Sequence, residues 1–117
     1  MGTYSNEEVA EAFAEFRRRG VGSHDWPGWA QIFTDDALYE EHNLGVFQGQ
    51  KVIEDWIVAE MAKFPGMTLW IEWFDIDNDH VCFYIWNNLP NPAGAGHDPA
   101  GSGASYQFPN TTMLRYA

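Results

Sequence analysis

Apolar residues recur at helical spacing near the start of the chain, where Val9, Ala12, Phe13 and Phe16 share one face. Ahead of them, Ser5-Asn6-Glu7-Glu8 has capping-box spacing, with Ser5 placed to cap a backbone N–H and Glu8 to reach back. Arg17-Arg18-Arg19 then complement the negative end of the helix, and Gly20 supplies a left-handed stop. The pattern predicts a helix over 6–19. A second, short helix over 26–33 opens at Asp25-Trp26-Pro27, since Asp caps and proline is tolerated in a first turn. Its inner stripe is Trp26, Trp29, Ala30 and Phe33.

Alternation follows. Ala37-Leu38-Tyr39-Glu40-Glu41-His42 reads as a short strand, turned at Asn43-Leu44-Gly45 into Val46-Phe47-Gln48. Gly49 leads into a third helix, expected over 49–64, with the apolar set Val52, Ile53, Trp56, Ile57, Met61 and Phe64, and Pro65-Gly66 ends it. From Met67 onward the period changes. Thr68 to Ile76 and His80 to Leu89 are rich in aromatic and β-branched residues and are joined by Asp77-Asn78-Asp79, the pattern of a long hairpin. Residues 90–104 concentrate Gly and Pro and carry almost no apolar side chains, which marks an exposed loop. Tyr106 to Tyr116 resumes strand character, with Pro109 requiring an edge position or a bulge. This order predicts an α+β fold in which helices pack on one face of a curved antiparallel sheet enclosing a pocket.

The chain has 117 residues, enough for one domain and one core. Six Trp, eight Phe and five Tyr exceed what a small core consumes, so some rings are expected to line the pocket and others to meet a second subunit in a homodimer. The formal charge of −11 repels phosphate backbones and anionic membranes, which excludes nucleic acid and membrane surfaces as expected partners. Only Cys82 is present; a buried, inert thiol in a reducing, cytoplasmic setting is the expectation, with neither signal peptide nor membrane span in view. His24, His80 and His97 fall at a helix junction, a turn and a loop, where solvated roles are the default. Asp75-Ile76-Asp77-Asn78-Asp79 lacks the Gly and closing Glu of a calcium loop, so no metal is expected. No Gly-rich loop stands between a strand and a helix to cradle phosphate.

The run Trp26-Pro27-Gly28-Trp29-Ala30-Gln31-Ile32-Phe33-Thr34-Asp35-Asp36-Ala37-Leu38-Tyr39-Glu40-Glu41-His42, followed by Gly45-Val46-Phe47-Gln48-Gly49, resembles the SnoaL-like superfamily. So does the closing stretch from Phe108 to Ala117. The resemblance implies the cone-shaped fold of nuclear transport factor 2, also called cystatin-like, with three helices on the concave face of the sheet and residues 1–117 as a single domain. Relatives of this kind continue into one more strand, whereas this sequence ends at Ala117. The expectation is either an incomplete sequence or a neighbouring subunit covering the open edge.

Glu41 is the first candidate for chemistry. On an alternating strand it shares a face with Ala37 and Tyr39, the side an apolar residue turns inward, and a desolvated carboxylate there is poised for proton transfer. By resemblance it falls where ketosteroid isomerases of the superfamily keep a proton-shuttling carboxylate, with Glu in place of their usual Asp. The plain alternative is a surface carboxylate at a turn. Glu40 faces the other way. His42 is the second candidate base, with an ordinary pKa near neutrality, or else a polar rim residue. Tyr39, Trp29, Trp56, Trp86 and Tyr106 are the expected pocket lining, and Asn110 and Thr112 the donors for the polar end of a ligand.

By resemblance Thr112 stands where the isomerases carry a protonated Asp, and their first-helix tyrosine is replaced by Phe13 and Phe16, so steroid isomerisation is disfavoured. Arg115 opposes Thr112 in strand parity, which demotes the Asp-Arg-Asp arrangement of the limonene-type epoxide hydrolases. His24 and Asp25 do not reproduce the spacing of scytalone dehydratases. The leading expectation is a cofactor-independent cyclase, isomerase or dehydratase acting on a small apolar or aromatic carbonyl compound. Its rival is a non-catalytic ligand-binding or dimerisation module of the same fold.

Overall fold

A computed structural model describes residues 4–41, 44–89 and 106–117. Along the chain run α1 (Asn6–Arg17), a π-helical turn (Arg18–Gly22), α2 (Trp26–Ala30), β1 (Leu38–Glu41), β2 (Gly45–Gln48), α3 (Gln50–Ala62), β3 (Thr68–Asp77), β4 (His80–Leu89) and β5 (Tyr106–Arg115). The protein is α+β, with a two-stranded sheet β1-β2 and a three-stranded sheet in the order β3-β4-β5, both antiparallel. The residues form two compact units, one of Ala10–Lys63 with Ala117 and one of Met1–Val9 with Phe64–Tyr116. The expected loop over 90–104 lies wholly outside the described residues.

Ser5 caps α1 as its sequence demands, its Oγ accepting from the Glu8 N–H at 3.1 Å. Glu8 does not complete the box; its carboxylate accepts instead from the Tyr116 hydroxyl at 3.0 Å, while Tyr4 meets the Tyr116 ring edge-on at 4.7 Å. Val9, Phe13 and Phe16 are buried, as the helical stripe requires.

The end of α1 differs from the expected stop. Gly20 does not take a left-handed conformation, and the chain winds on as a π-turn to Gly22. Its missing side chain serves packing: a Cβ there would stand 2.9 Å from Trp29 Cδ1 and 3.3 Å from Trp26 Cζ3. The arginines also do more than face the helix end. Arg18 and Arg19 both pair with Glu15, holding its exposed carboxyl down at about 2, and Arg19 Nη1 donates to the Gly28 carbonyl at 2.7 Å, fastening the π-turn to α2.

Asp25 caps α2 by accepting from Gly28 N–H at 3.1 Å, but the helix closes at Ala30 and the chain passes through turns to Phe33. Ala30 is fully buried and Trp29 is 4% exposed. Gly49 has φ 97°, a conformation that glycine adopts without strain, and its N–H donates to the Ala37 carbonyl at 2.7 Å. Gln50 Nε2 donates to the Phe33 carbonyl at 2.6 Å, and Gln31 Nε2 to Glu54 Oε1 at 2.9 Å, so α3 is tied to α2 and to the start of β1. Ile53 and Ile57 are the buried line of α3; Val52 and Phe64, expected on that face, are exposed.

In the second unit a bulge separates Ile71 from Trp73, leaving Glu72 as the extra residue. The extra residue reverses the parity of β3, so Trp70 and Trp73 come to one face together with Tyr84 and Trp86. Phe74, Ile76, Val81, Phe83 and Leu114 take the other face, with Val81 and Phe83 buried. Cys82 is half-buried, where full burial was expected. Pro109 sits on the edge strand β5, the position its lack of an N–H allows.

Changing Gly20 to Ala is expected to lower stability by about 1–3 kcal/mol, because the added methyl meets a packed indole. Chemical denaturation with tryptophan fluorescence measures it, and an unchanged midpoint would show that the Trp29 contact is looser than described.

Candidate functional site

Strand β1 places Tyr39 and Glu41 on one half-buried face and Leu38 and Glu40 on the exposed one. The alternation is what a pleated strand imposes on Leu38-Tyr39-Glu40-Glu41. Around Tyr39 stand rings from two other elements and the segment between α2 and β1: Trp29 of α2 at 6.1 Å, Trp56 of α3 at 5.1 Å, and Phe33 after α2 at 5.9 Å between centroids. Phe47 of β2 stacks on Trp56 at 4.3 Å, and Phe16 of α1 closes on Trp29 at 5.4 Å. The Trp56 indole N–H is buried with no hydrogen-bond partner among the described residues.

This enclosure changes the electrostatics. Burial pushes the Tyr39 phenol up to about 12, and the nearby Glu41 carboxylate adds to the shift by opposing a second negative charge. The folded state therefore favours the neutral phenol. Its contribution to stability is complete below the usual value of 10.0 and is lost as pH rises from there towards about 12. Across the neutral range Tyr39 is a hydrogen-bond donor held beside an acidic side chain.

The remaining sequence candidates are placed as follows. His42 lies outside the described residues. Trp86, Tyr106, Asn110 and Thr112 belong to the other unit, and they do not form one lining. Trp86 pairs with Pro109 and Ile85 with Asn110, so alternation puts Trp86 on the opposite face of the sheet from Asn110 and Thr112. That corrects the expectation of a shared pocket wall. Trp86 Nε1 donates to Glu72 Oε1 at 3.2 Å, beside the bulge. Asn110 is exposed and accepts from Asn87 Nδ2 at 2.6 Å, while the half-buried Thr112 stands opposite Phe83. Tyr106 pairs with Leu89 at the start of β5.

Arg115 keeps the parity opposite to Thr112 and lies 3.4 Å from Asp79. His24 stacks on Trp26 at 5.9 Å, and His80 lies 2.8 Å from Asp79. Among the described residues no group of three or more His, Cys, Asp or Glu side chains is placed to hold a metal ion. No helix among them is long and apolar enough to cross a membrane. Two rings of the cluster, Phe33 and Phe47, were absent from the expected lining; their apolar character gave the only signal, and it assigned Phe33 to the helix stripe.

No curated protein matches the chain in sequence. Solved structures share its fold. A candidate SnoaL-like polyketide cyclase from Jannaschia sp. CCS1 superposes with TM-score 0.72 at 18% identity, over 100% of this chain and 83% of that one. A protein of ketosteroid isomerase-like fold from Catenulispora acidiphila DSM 44928, in complex with trimethylamine, gives TM-score 0.70 at 18% identity, over 92% and 76%. An LEH-like epoxide hydrolase from M. tuberculosis gives TM-score 0.63 at 14% identity, over 95% and 71%. The SnoaL-like domain family itself matches residues 8–117, a span that takes in every candidate residue, and the chain belongs to that family.

Proposed function

We propose that the protein is a cofactor-independent proton-transfer enzyme, a cyclase, isomerase or dehydratase, acting on a small apolar or aromatic carbonyl compound. The observation that carries this reading is the half-buried Glu41 on the same strand face as Tyr39, whose ring meets Trp29, Phe33 and Trp56, with Phe47 stacked on Trp56. Rings of this kind offer apolar and π surface to a planar substrate. A carboxylate at their margin takes a proton from carbon adjacent to a carbonyl, and the electron pair moves onto the carbonyl oxygen. His42, next in sequence, is the substitute base. The SnoaL-like family and its polyketide cyclase and epoxide hydrolase structural neighbours are consistent with an enzymatic role. Epoxide opening is the weaker option, because Arg115 is engaged by Asp79.

The reaction is tested without knowing the natural substrate. Exchange of the α-hydrogens of 2-tetralone for deuterium, followed by NMR in heavy water, reads proton abstraction directly. The protein is expected to accelerate exchange, and Glu41→Gln to lose roughly a hundredfold or more of that acceleration. Exchange at the buffer rate would favour a ligand-binding role, and full activity in the Gln variant would move His42 to the front.

The protein is further proposed to work in the cytoplasm as a homodimer joined through the outer face of the three-stranded sheet. Trp70 is 59% and Trp73 46% exposed there on β3, and Met113 is 67% exposed on the same face of β5, apolar surface of the sort that subunits cover. Light scattering at micromolar concentration should give twice the chain mass, and Trp70→Glu with Trp73→Glu should halve it. A wild-type monomer contradicts the assignment.

A further inference from the structure

A buried hydrogen-bond donor that meets no acceptor is costly, and nearly all such groups in folded proteins are paired. The Trp56 indole N–H departs from that rule. Its nitrogen is buried and has no partner among the described residues, whereas the Trp86 indole N–H is taken up by Glu72. The Trp56 indole is held by rings instead: Phe47 stacks on it at 4.3 Å with 18° between the planes, and Tyr39 is tilted against it at 5.1 Å. Aromatic faces are weak acceptors, so the donor keeps most of its hydrogen-bonding capacity.

We propose that the Trp56 indole N–H is the specificity-determining donor of this cluster, pairing with the carbonyl oxygen of a neutral aromatic ligand. The inference rests on the reading of the cluster as the ligand site, and not on Glu41 acting as a base. An indole N–H donates and cannot accept, so it favours ligands that carry an acceptor over hydrocarbons of the same shape. Charge narrows the class further. Glu41 lies on the same strand face as Tyr39, and the whole chain carries a formal charge of −11, so an anionic acceptor is repelled where a neutral oxygen is not.

The nitrogen is sealed from solvent, so a ligand reaches it by displacing a side chain. Tyr39 and Phe47, which both touch the indole, pair across β1 and β2 and are both half-buried. A sheet of two short strands is marginal on its own, and a ligand ring enters by parting these two side chains. The unpartnered donor contributes to the drive, because the hydrogen bond it lacks within the chain is made on binding, in apolar surroundings where it is stronger than in water.

The test compares 2-tetralone with tetralin, which has the same fused rings without the oxygen, and reads the indole N–H resonances of nitrogen-15-labelled protein. Trp56 is identified as the resonance lost when its indole is replaced, at this position alone, by benzothiophene, which keeps the two-ring shape and has no N–H. 2-Tetralone is expected to move the Trp56 proton downfield well beyond any shift tetralin causes. The benzothiophene protein should bind 2-tetralone roughly threefold to tenfold more weakly, the loss of one neutral hydrogen bond, with tetralin affinity unchanged. Equal shifts from the two probes, or undiminished affinity of the benzothiophene protein for 2-tetralone, would overturn the donor role. Binding of neither probe would overturn it together with the cluster as a ligand site. Deuterium exchange into 2-tetralone keeps the two readings apart: exchange that depends on Glu41 without a Trp56 response removes this inference alone, whereas a Trp56 response without exchange supports it and removes the proton-transfer reading.

Discussion

The contact between Gly20 and the indole of Trp29 is the constraint on which the candidate site depends. A methyl at position 20 would stand 2.9 Å from Trp29 Cδ1, closer than packed carbons approach. With it absent, Trp29 sinks to 4% exposure and touches Phe16, Trp26, Phe33 and Tyr39. Burying a large aromatic ring contributes about 1.5–3 kcal/mol, and four further aromatic contacts add to it. The indole is thus fixed from behind by the π-turn and presents its other edge to β1. Arg19 reinforces the arrangement, since its guanidinium reaches the Gly28 carbonyl beside Trp29 in the chain.

Chemistry follows from that packing. A phenol in water has no reason to stay neutral beyond its ordinary pKa, and a carboxylate in water has little influence on a neighbour. With the rings packed around the half-buried Tyr39, burial and then the charge on Glu41 oppose ionisation of its phenol. The three-stranded sheet solves a different problem. One extra residue at Glu72 brings Trp70 and Trp73 to the same face, where Trp73 stacks on Tyr84 at 6.0 Å and Trp86 is anchored to Glu72 itself.

Much of this architecture is legible in the sequence. Ser5, Asp25, Gly49 and Pro109 signal caps, a turn and an edge by chemistry that acts within a few residues, and each serves as its local physics requires. The alternation through Tyr39 and Glu41 likewise carries over directly to the faces of β1. What the sequence hides is long-range. Gly20 looks like a helix stop because nothing nearby reveals an indole nine residues later. Glu72 looks like one more strand residue, because a bulge is defined by its partner strand. Counting parity from Trp86 across to Asn110 needs the β4–β5 register, which only the paired backbone supplies.

The central claim is that Tyr39 is enclosed by aromatic rings and kept neutral beside Glu41. Carbon-13 NMR of protein labelled at tyrosine Cζ tests it most directly, with the Tyr39 resonance identified as the one missing from Tyr39→Phe. The account predicts that this resonance keeps its neutral position as pH is raised past 10 and begins to move only on the approach to about 12. A Tyr39 resonance that titrates at the ordinary value of 10.0 would contradict it.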